Sequence, residues 1–295
     1  MPVLGLMFNA LVWGLSWWPF RQFEQVGLHP LWTTVIMYAL SLGVILLTQR
    51  QAWRELLAHP ALWLVMLAAG TTNTAFNWGV ATGDVVRVVL LFYLMPLWAV
   101  LLARLILGER LTALAGVRVA LALGGAAAVL APAQGGWPWP ASLSDWLGLL
   151  GGLTFAFNNV MLRREAARSA GARALAMFSG GVLVAGVAAS AMAGAQLVAW
   201  PQLPSAAWLA PLAGMALLFF FSNLSLQYGA ARLPANITAV VMLTEVPVAA
   251  ISALWLGGGQ LDAQTAVGGA AILGAALLAA MERSNMPAQP KEAHP

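Results

Sequence analysis

Between Arg173 and Arg232 the chain carries no charged residue at all, and its other charges, Glu245 apart, sit in or near the connectors between long apolar runs. That spacing constrains the fold most. A spanning helix needs roughly 20 mainly apolar residues, and in lipid every backbone polar group has to be bonded within the protein. Composition agrees: 61% of the 295 residues are hydrophobic, 8% are charged and the mean hydropathy is +0.82. A soluble chain carries about 25% charged residues. The solvent for this chain is lipid.

Reading between the breaks gives an all-α membrane protein of ten transmembrane helices. The first five are expected at about Leu4 to Phe20, Leu31 to Gln49, Ala61 to Ala81, Val85 to Leu107 and Leu114 to Ala131. The second five are expected at about Trp146 to Leu162, Ala174 to Ala195, Trp208 to Gly229, Pro234 to Leu256 and Thr265 to Met281. The first segment has no basic residue before it and no small-x-small cleavage site after it, so it is expected to stay in the mature chain. The polar, Pro-containing tail from Ser284 to Pro295 reads as disordered.

Lys and Arg are retained on the cytoplasmic side during insertion. With a cytoplasmic N-terminus, all but Arg21 and Arg87 of the 14 basic residues fall inside, which places both termini in the cytoplasm. The net charge of +4 is a product of this bias, so it gives no support to nucleic-acid binding. The absence of cysteine leaves no disulfide and no thiolate metal site. Trp32, Trp53, Trp63, Trp137, Trp139, Trp146, Trp200 and Trp208 fall at helix ends, as indole anchors do.

The two halves overlay. "NTAFNWGVA" (Asn73 to Ala81) aligns without a gap to "NLSLQYGAA" (Asn223 to Ala231), which pairs Asn73 with Asn223, Asn77 with Gln227, Trp78 with Tyr228 and Gly79 with Gly229. After a one-residue slip "YLMPLW" from Tyr93 matches "TEVPVA" from Thr244, and "LGERLT" from Leu107 loosely matches "LGGGQLD" from Leu256. Each repeat holds five helices, so the second enters the membrane from the opposite side. The expected units are a first repeat over 1–132, a periplasmic connector over 133–145, a second, inverted repeat over 146–283 and the tail over 284–295. Inverted repeats are a common build of secondary transporters, with the substrate site near the midplane between the halves.

Five plus five helices, both termini inside and a proline followed at a fixed distance by G-E-x-L-T (Pro96 to Thr112) resemble the EamA-type carriers of the drug/metabolite transporter superfamily. Among these the chain most resembles the bacterial aromatic amino-acid exporters, a likeness that covers nearly the whole chain. The resemblance implies export of aromatic or hydrophobic amino acids and related amphipathic metabolites across the inner membrane by alternating access, by a monomer without a cofactor. One departure is that the second copy of the motif lacks the Glu.

Residues four apart share a helix face, so Asn73 with Asn77, and Asn223 with Gln227, form two polar stripes. They either line a central cavity and hold the ammonium and carboxylate of an amino acid, or bond helix to helix. Trp78 and Tyr228 either wall that cavity or pack. In the first span Asn9, Trp13 and Trp17 recur at helical spacing, and indoles can stack on an aromatic substrate or hold a cation. The sixth span carries Asn158 and Asn159. Tyr93 and Thr244 each precede a proline by three residues, and Pro96 and Pro247 are candidate hinges, since proline removes a helix bond and bends the helix. Glu245 is the one acid well inside a span, where a charge costs at least ~2.5 kcal/mol. It is a candidate for binding an ammonium or a proton, or for bonding the backbone that Pro247 frees. Asp84 with Arg87, and Arg21 with Glu24, are candidate pairs at the outer ends. Gly124 and Gly125, Gly151 and Gly152, Gly180 and Gly181, and Gly268 and Gly269 are expected at close helix contacts.

The partners implied are a small solute and lipid. A multidrug or organic-cation exporter of the same superfamily is the rival reading, and a channel is a third. An enzyme is disfavoured: His29 and His59 lie in connectors, His294 in the tail, and no H-E-x-x-H or G-x-S-x-G occurs. No metal site is expected.

Overall fold

The computed structural model describes residues 1–107, 113–132, 136–165, 167–201, 206–230, 232–233 and 235–282. The G-E-x-L-T segment and the tail fall outside them. Among the described residues every regular element is an α-helix: α1 (Pro2–Leu15), α2 (Trp17–Gln25), α3 (Pro30–Thr48), α4 (Ala52–Ala58), α5 (Pro60–Thr82), α6 (Val85–Phe92), α7 (Met95–Leu107), α8 (Ala113–Leu130), α9 (Leu143–Arg164), α10 (Ala170–Gly194), α11 (Ala206–Ala230), α12 (Ala235–Met242), α13 (Glu245–Trp255) and α14 (Ala263–Glu282). The helix α9 begins three residues before the expected Trp146, which takes Asp145 out of the connector and into a helical first turn. The short α4, absent from the sequence reading, fills the connector between α3 and α5.

Three pairs of helices are single rods with a break. The breaks at Ser16, at Tyr93 and Leu94, and at Leu243 and Thr244 come just before Pro19, Pro96 and Pro247. A proline has no N–H for the carbonyl four residues earlier and its ring crowds that carbonyl, so the ladder fails between the two. Tighter bonds fill the gap: Ser16 N–H donates to Trp13 O (3.1 Å), Leu94 to Leu91 O (3.2 Å) and Thr244 to Val241 O (3.0 Å), all of the three-residue kind that 3₁₀ turns use. Pro96 and Pro247 therefore act through breaks placed two to four residues upstream. The same rule finds Pro19, which the sequence reading overlooked.

Among the described residues seven segments are long and apolar enough to cross a membrane: Pro2–Gln25, Pro30–Thr48, Val85–Ile106, Ala113–Leu130, Ala170–Gly194, Trp208–Leu226 and Ala263–Met281. Leu47, Leu105, Val187 and Val267 stand exposed on these surfaces, as residues do where lipid is the neighbour. The rods outside this set are α12 with α13, whose apolar stretch Val240–Trp255 is shorter, and α5 and α9, which carry amides and hydroxyls in their spans. Helix α5 packs against α9 and α10 and also touches α2, α3 and α6. Fourteen of its 23 residues are buried, so it meets protein rather than lipid and can hold Thr72, Asn73, Thr74 and Asn77.

Elsewhere α1 packs on α11 and α13, α3 on α10, and α8 on α14. Glycines set the closest approaches. Gly125 on α8 and Gly268 on α14 face each other, and a Cβ built on either would meet the other's carbonyl oxygen at 2.6 and 2.7 Å. Gly180 lies on the Met66 carbonyl of α5, Gly181 on the Tyr38 ring, Gly151 and Gly152 on Phe92, and Gly269 on Leu90. Gly124 is the exception, with nothing within 4 Å. Accordingly, Gly180→Ala is expected to lower the thermal stability of the detergent-solubilised protein, by about 1–3 kcal/mol for forced overpacking, while Gly124→Ala leaves it unchanged. Equal melting temperatures for the two variants would contradict the packing described.

Candidate functional site

The breaks of the two proline-bent rods α6–α7 and α12–α13 meet. The Tyr93 hydroxyl lies 3.1 Å from Glu245 Oε2 and 3.2 Å from the Met242 carbonyl, bridging the first half of the chain to the second. Tyr93 and Glu245 are 2% and 7% exposed. Because Val246 N–H turns back to Leu243 O, it does not serve the Met242 carbonyl, and the phenol takes its place. Among the described residues the ion pairs are Arg87–Asp145 and Arg168–Glu165, both at the ends of the bundle. No basic side chain meets Glu245 there.

The polar stripes separate into two kinds. The amides of Asn73 and Asn223 each donate to the carbonyl four residues earlier, Ala69 O at 2.7 Å and Phe219 O at 2.9 Å. These are equivalent positions doing the same thing. Asn77 Nδ2 instead reaches across to Thr34 Oγ1 on α3 (3.2 Å), and its Oδ1 is buried without a partner. One residue before each stripe, Thr72 donates to Thr154 Oγ1 of α9 (2.9 Å), and Ser222 accepts from Asn9 Nδ2 of α1 (2.7 Å). Gly79 then lets α5 approach Ser144 and Leu147 of α9, as Gly229 lets α11 approach Pro2 and Leu6 of α1. The Gln227 side chain falls outside the described residues.

Trp13 packs edge-on to Phe76 of α5 (5.9 Å between ring centres) and Phe219 of α11 (4.9 Å), which sets it between the two signature helices. Asn158 of α9 keeps a buried Oδ1 without a partner. Trp17 is tied down: its Nε1 donates to Ser252 Oγ of α13 (3.0 Å). Trp78 stands edge-on to His29 (5.5 Å), and burial pushes His29 below the usual imidazole range, which keeps its Nδ1 free to accept from Leu31 N–H (3.2 Å). Tyr228 is 43% exposed at the opposite end, with Arg232 stacked 3.9 Å from its ring centre. Tyr93, Glu245, Asn73, Asn223, Trp13 and Asn158 are thus inside the bundle; Asn9 and Asn77 join helices, and Trp17, Trp78 and Tyr228 lie towards its ends. Among the described residues no cluster of three His, Asp or Glu side chains offers a metal site.

Neither expected end pair forms a side-chain ion pair. Arg87 forks onto Asp145 of α9 (2.6 and 3.1 Å) rather than Asp84, and Asp84 caps α6 by accepting from Arg87 N–H (2.9 Å). Arg21 donates to the carbonyls of Ala81, Gly83 and Gly258. An arginine facing carbonyls 60 and 237 residues away in sequence has no local pattern by which to be found.

With apolar exterior, buried polar interior and paired breaks, the fold is that of a multi-pass helical membrane protein. The EamA-like transporter family matches residues 1–131. An uncharacterized transporter of Pseudomonas aeruginosa is 30% identical over 169 residues, which cover 55% of this chain and 54% of that protein; the chain thus matches about half the length of this relative. One solved crystal structure superposes with a TM-score of 0.57 over 97% of this chain and 99% of its own, at 16% identity, a likeness of fold alone.

Asn77→Ala is expected to lower thermal stability by roughly 1 kcal/mol, the usual scale of an interhelical bond in a membrane. Asn73→Ala, which loses a bond only to its own helix, is expected to unfold near the wild-type temperature. The reverse order would contradict the division between the two amides.

Proposed function

We propose that the chain is an EamA-type secondary transporter of a bacterial inner membrane. In this reading ten spans form two inverted five-helix repeats, both termini are cytoplasmic, and aromatic or hydrophobic amino acids and kindred amphipathic solutes leave the cell through a site between the repeats. The single observation that carries it is the Tyr93–Glu245 contact, a carboxylate and a phenol held at the breaks of two equivalent helices from opposite halves. Inversion is supported by the signature glycines: Gly79 packs against the start of α9 and Gly229 against the start of α1, two starts that lie at opposite ends of the bundle. Equivalent hydroxyls at 72 and 222 and equivalent amides at 73 and 223 support the repeat.

Alternating access then follows from the breaks. Each half-rod on one side of a break can swing without unwinding its neighbour, and a few element-terminal residues absorb such a change. Trp13, Asn73, Asn223 and Asn158 line the path, with aromatic faces for the side chain of the solute and amides for its polar end. A specific observation favours a second reading, export of organic cations: Glu245 has no basic partner among the described residues, so an amine is its natural counter-charge.

Flux of labelled phenylalanine, tryptophan and a quaternary ammonium from proteoliposomes decides between them. Saturable amino-acid flux, reduced about tenfold or more by Glu245→Gln (~1.4 kcal/mol or more) and less by Tyr93→Phe, is the expected result. Cation flux without amino-acid flux would establish the second reading, and flux linear in concentration would indicate a channel.

A further inference from the structure

Where the two breaks meet, three oxygens share too few hydrogens. The Tyr93 hydroxyl lies 3.1 Å from Glu245 Oε2 and 3.2 Å from the Met242 carbonyl, and a phenol has one hydrogen to give besides lone pairs that accept. The carbonyl can only accept. Its helical donor, Val246 N–H, is spent on Leu243 O (3.2 Å), and the Thr244 hydroxyl, the other O–H at this break, is spent on Val241 O (2.6 Å). The phenol hydrogen therefore belongs to Met242, and the phenol lone pairs are left facing the Glu245 carboxyl. Two bare acceptors do not bond. Both contacts are satisfied together when Oε2 of Glu245 carries a proton and donates it to the phenol oxygen. The separation agrees, since a hydroxyl that donates to an ionised carboxylate closes to roughly 2.5–2.7 Å.

Among the described residues no neighbouring charge takes the place of that proton. Helix α1 lies against the start of α13, close enough that a Cβ on Gly14 would meet Glu245 O at 2.9 Å, and it carries no titratable side chain. Nor does α12. Helix α6 brings Tyr93, while its Arg87 is forked onto Asp145 near the other end of that helix. Helix α2 touches α13 through Trp17 and Ser252, seven residues past Glu245. Its Arg21 and Glu24 stand one and two turns beyond that contact, with Arg21 held on the carbonyls of Ala81, Gly83 and Gly258. An ionised Glu245 here would have neither a cation nor a donor of its own, which is costly at membrane depth.

We infer that the junction holds a proton on Glu245 and exchanges it, one for one, for a solute ammonium that bears N–H groups, an inference that rests on the solute site proposed above. On exchange the Oε2–H proton passes to water, the carboxylate so formed accepts from one N–H of the ammonium, and Met242 O keeps the phenol hydrogen or takes a second N–H. One positive charge is held before and after, so proton and solute exclude each other. A primary or secondary ammonium supplies both the charge and the hydrogens. A quaternary ammonium supplies the charge alone and leaves the acceptors bare. In the carrier, each departing solute is then matched by a proton moving the other way.

The test is proton release on binding, measured with phenethylamine added to the detergent-solubilised protein in weakly buffered solution with a pH indicator. About one proton is expected per amine bound, and the apparent Kd is expected to rise about tenfold for each unit fall in pH while Glu245 stays protonated. Infrared difference spectra of the wild type are expected to lose a protonated-carboxyl band as the amine binds. Glu245→Gln is expected to abolish both the release and the band, whereas Glu55→Gln, in the connector helix α4, keeps both. The trimethylammonium analogue of phenethylamine is expected to bind at least about tenfold more weakly. Binding without proton release, no binding of phenethylamine, or equal affinity for the quaternary analogue would each overturn the exchange. Release does not require transport: a chain that releases the proton yet moves no solute retains the exchange and loses the carrier reading, and solute flux without release does the reverse.

Discussion

A broken helix in lipid leaves carbonyl groups that water cannot reach, and each must find a donor in the protein. The contact that answers this requirement here is the Tyr93 hydroxyl on the Met242 carbonyl and Glu245. It joins two breaks, each made by a proline, from the two halves of the chain. Much of the interior follows from it: the breaks of the two rods meet, and an acid is held at a depth where an unpaired charge is costly. A group that satisfies backbone and carboxylate together is also a group that a solute or proton can displace.

Polarity and exposure are inverted relative to a soluble protein. Helix α5 tolerates two amides because it is shielded on several sides, and the leucines and valines of the outer helices are exposed because lipid accepts them. Glycine sets how near the helices come, at Gly125 with Gly268 and at Gly180 with Met66. Charged side chains join the halves at both ends: at one, Arg87 forks onto Asp145; at the other, hydrogen bonds from Ser169 hold the Glu55 carboxyl below its usual range and Arg168 lies 3.2 Å from His59 Nε2.

Much of the fold is legible in the sequence because the apolar runs are long and the spacing of charges is coarse. Proline position is also legible, yet the bend falls upstream of the ring: the failing bond belongs to the carbonyl four residues earlier. Repeat alignment brings Asn73 and Asn223 into register, and their shared hydrogen-bond habit agrees with it. What the sequence does not disclose is partner choice between distant segments. Arg87 has Asp84 three residues away and binds Asp145 instead, because the start of α9 packs beside α6. Asn9, grouped by spacing with Trp13, turns to Ser222 on α11, so one helical face serves both adhesion and the interior.

The most direct test of the junction between the two breaks is a double-mutant cycle on equilibrium solute binding, with Tyr93→Phe, Glu245→Gln and the pair, read by tryptophan fluorescence or calorimetry in detergent. If the phenol and the carboxylate act as one unit, the two losses are not additive and the coupling exceeds about 0.5 kcal/mol. Additive losses, or binding indifferent to both substitutions, would place the solute elsewhere and reduce the contact to a repair of the helix break.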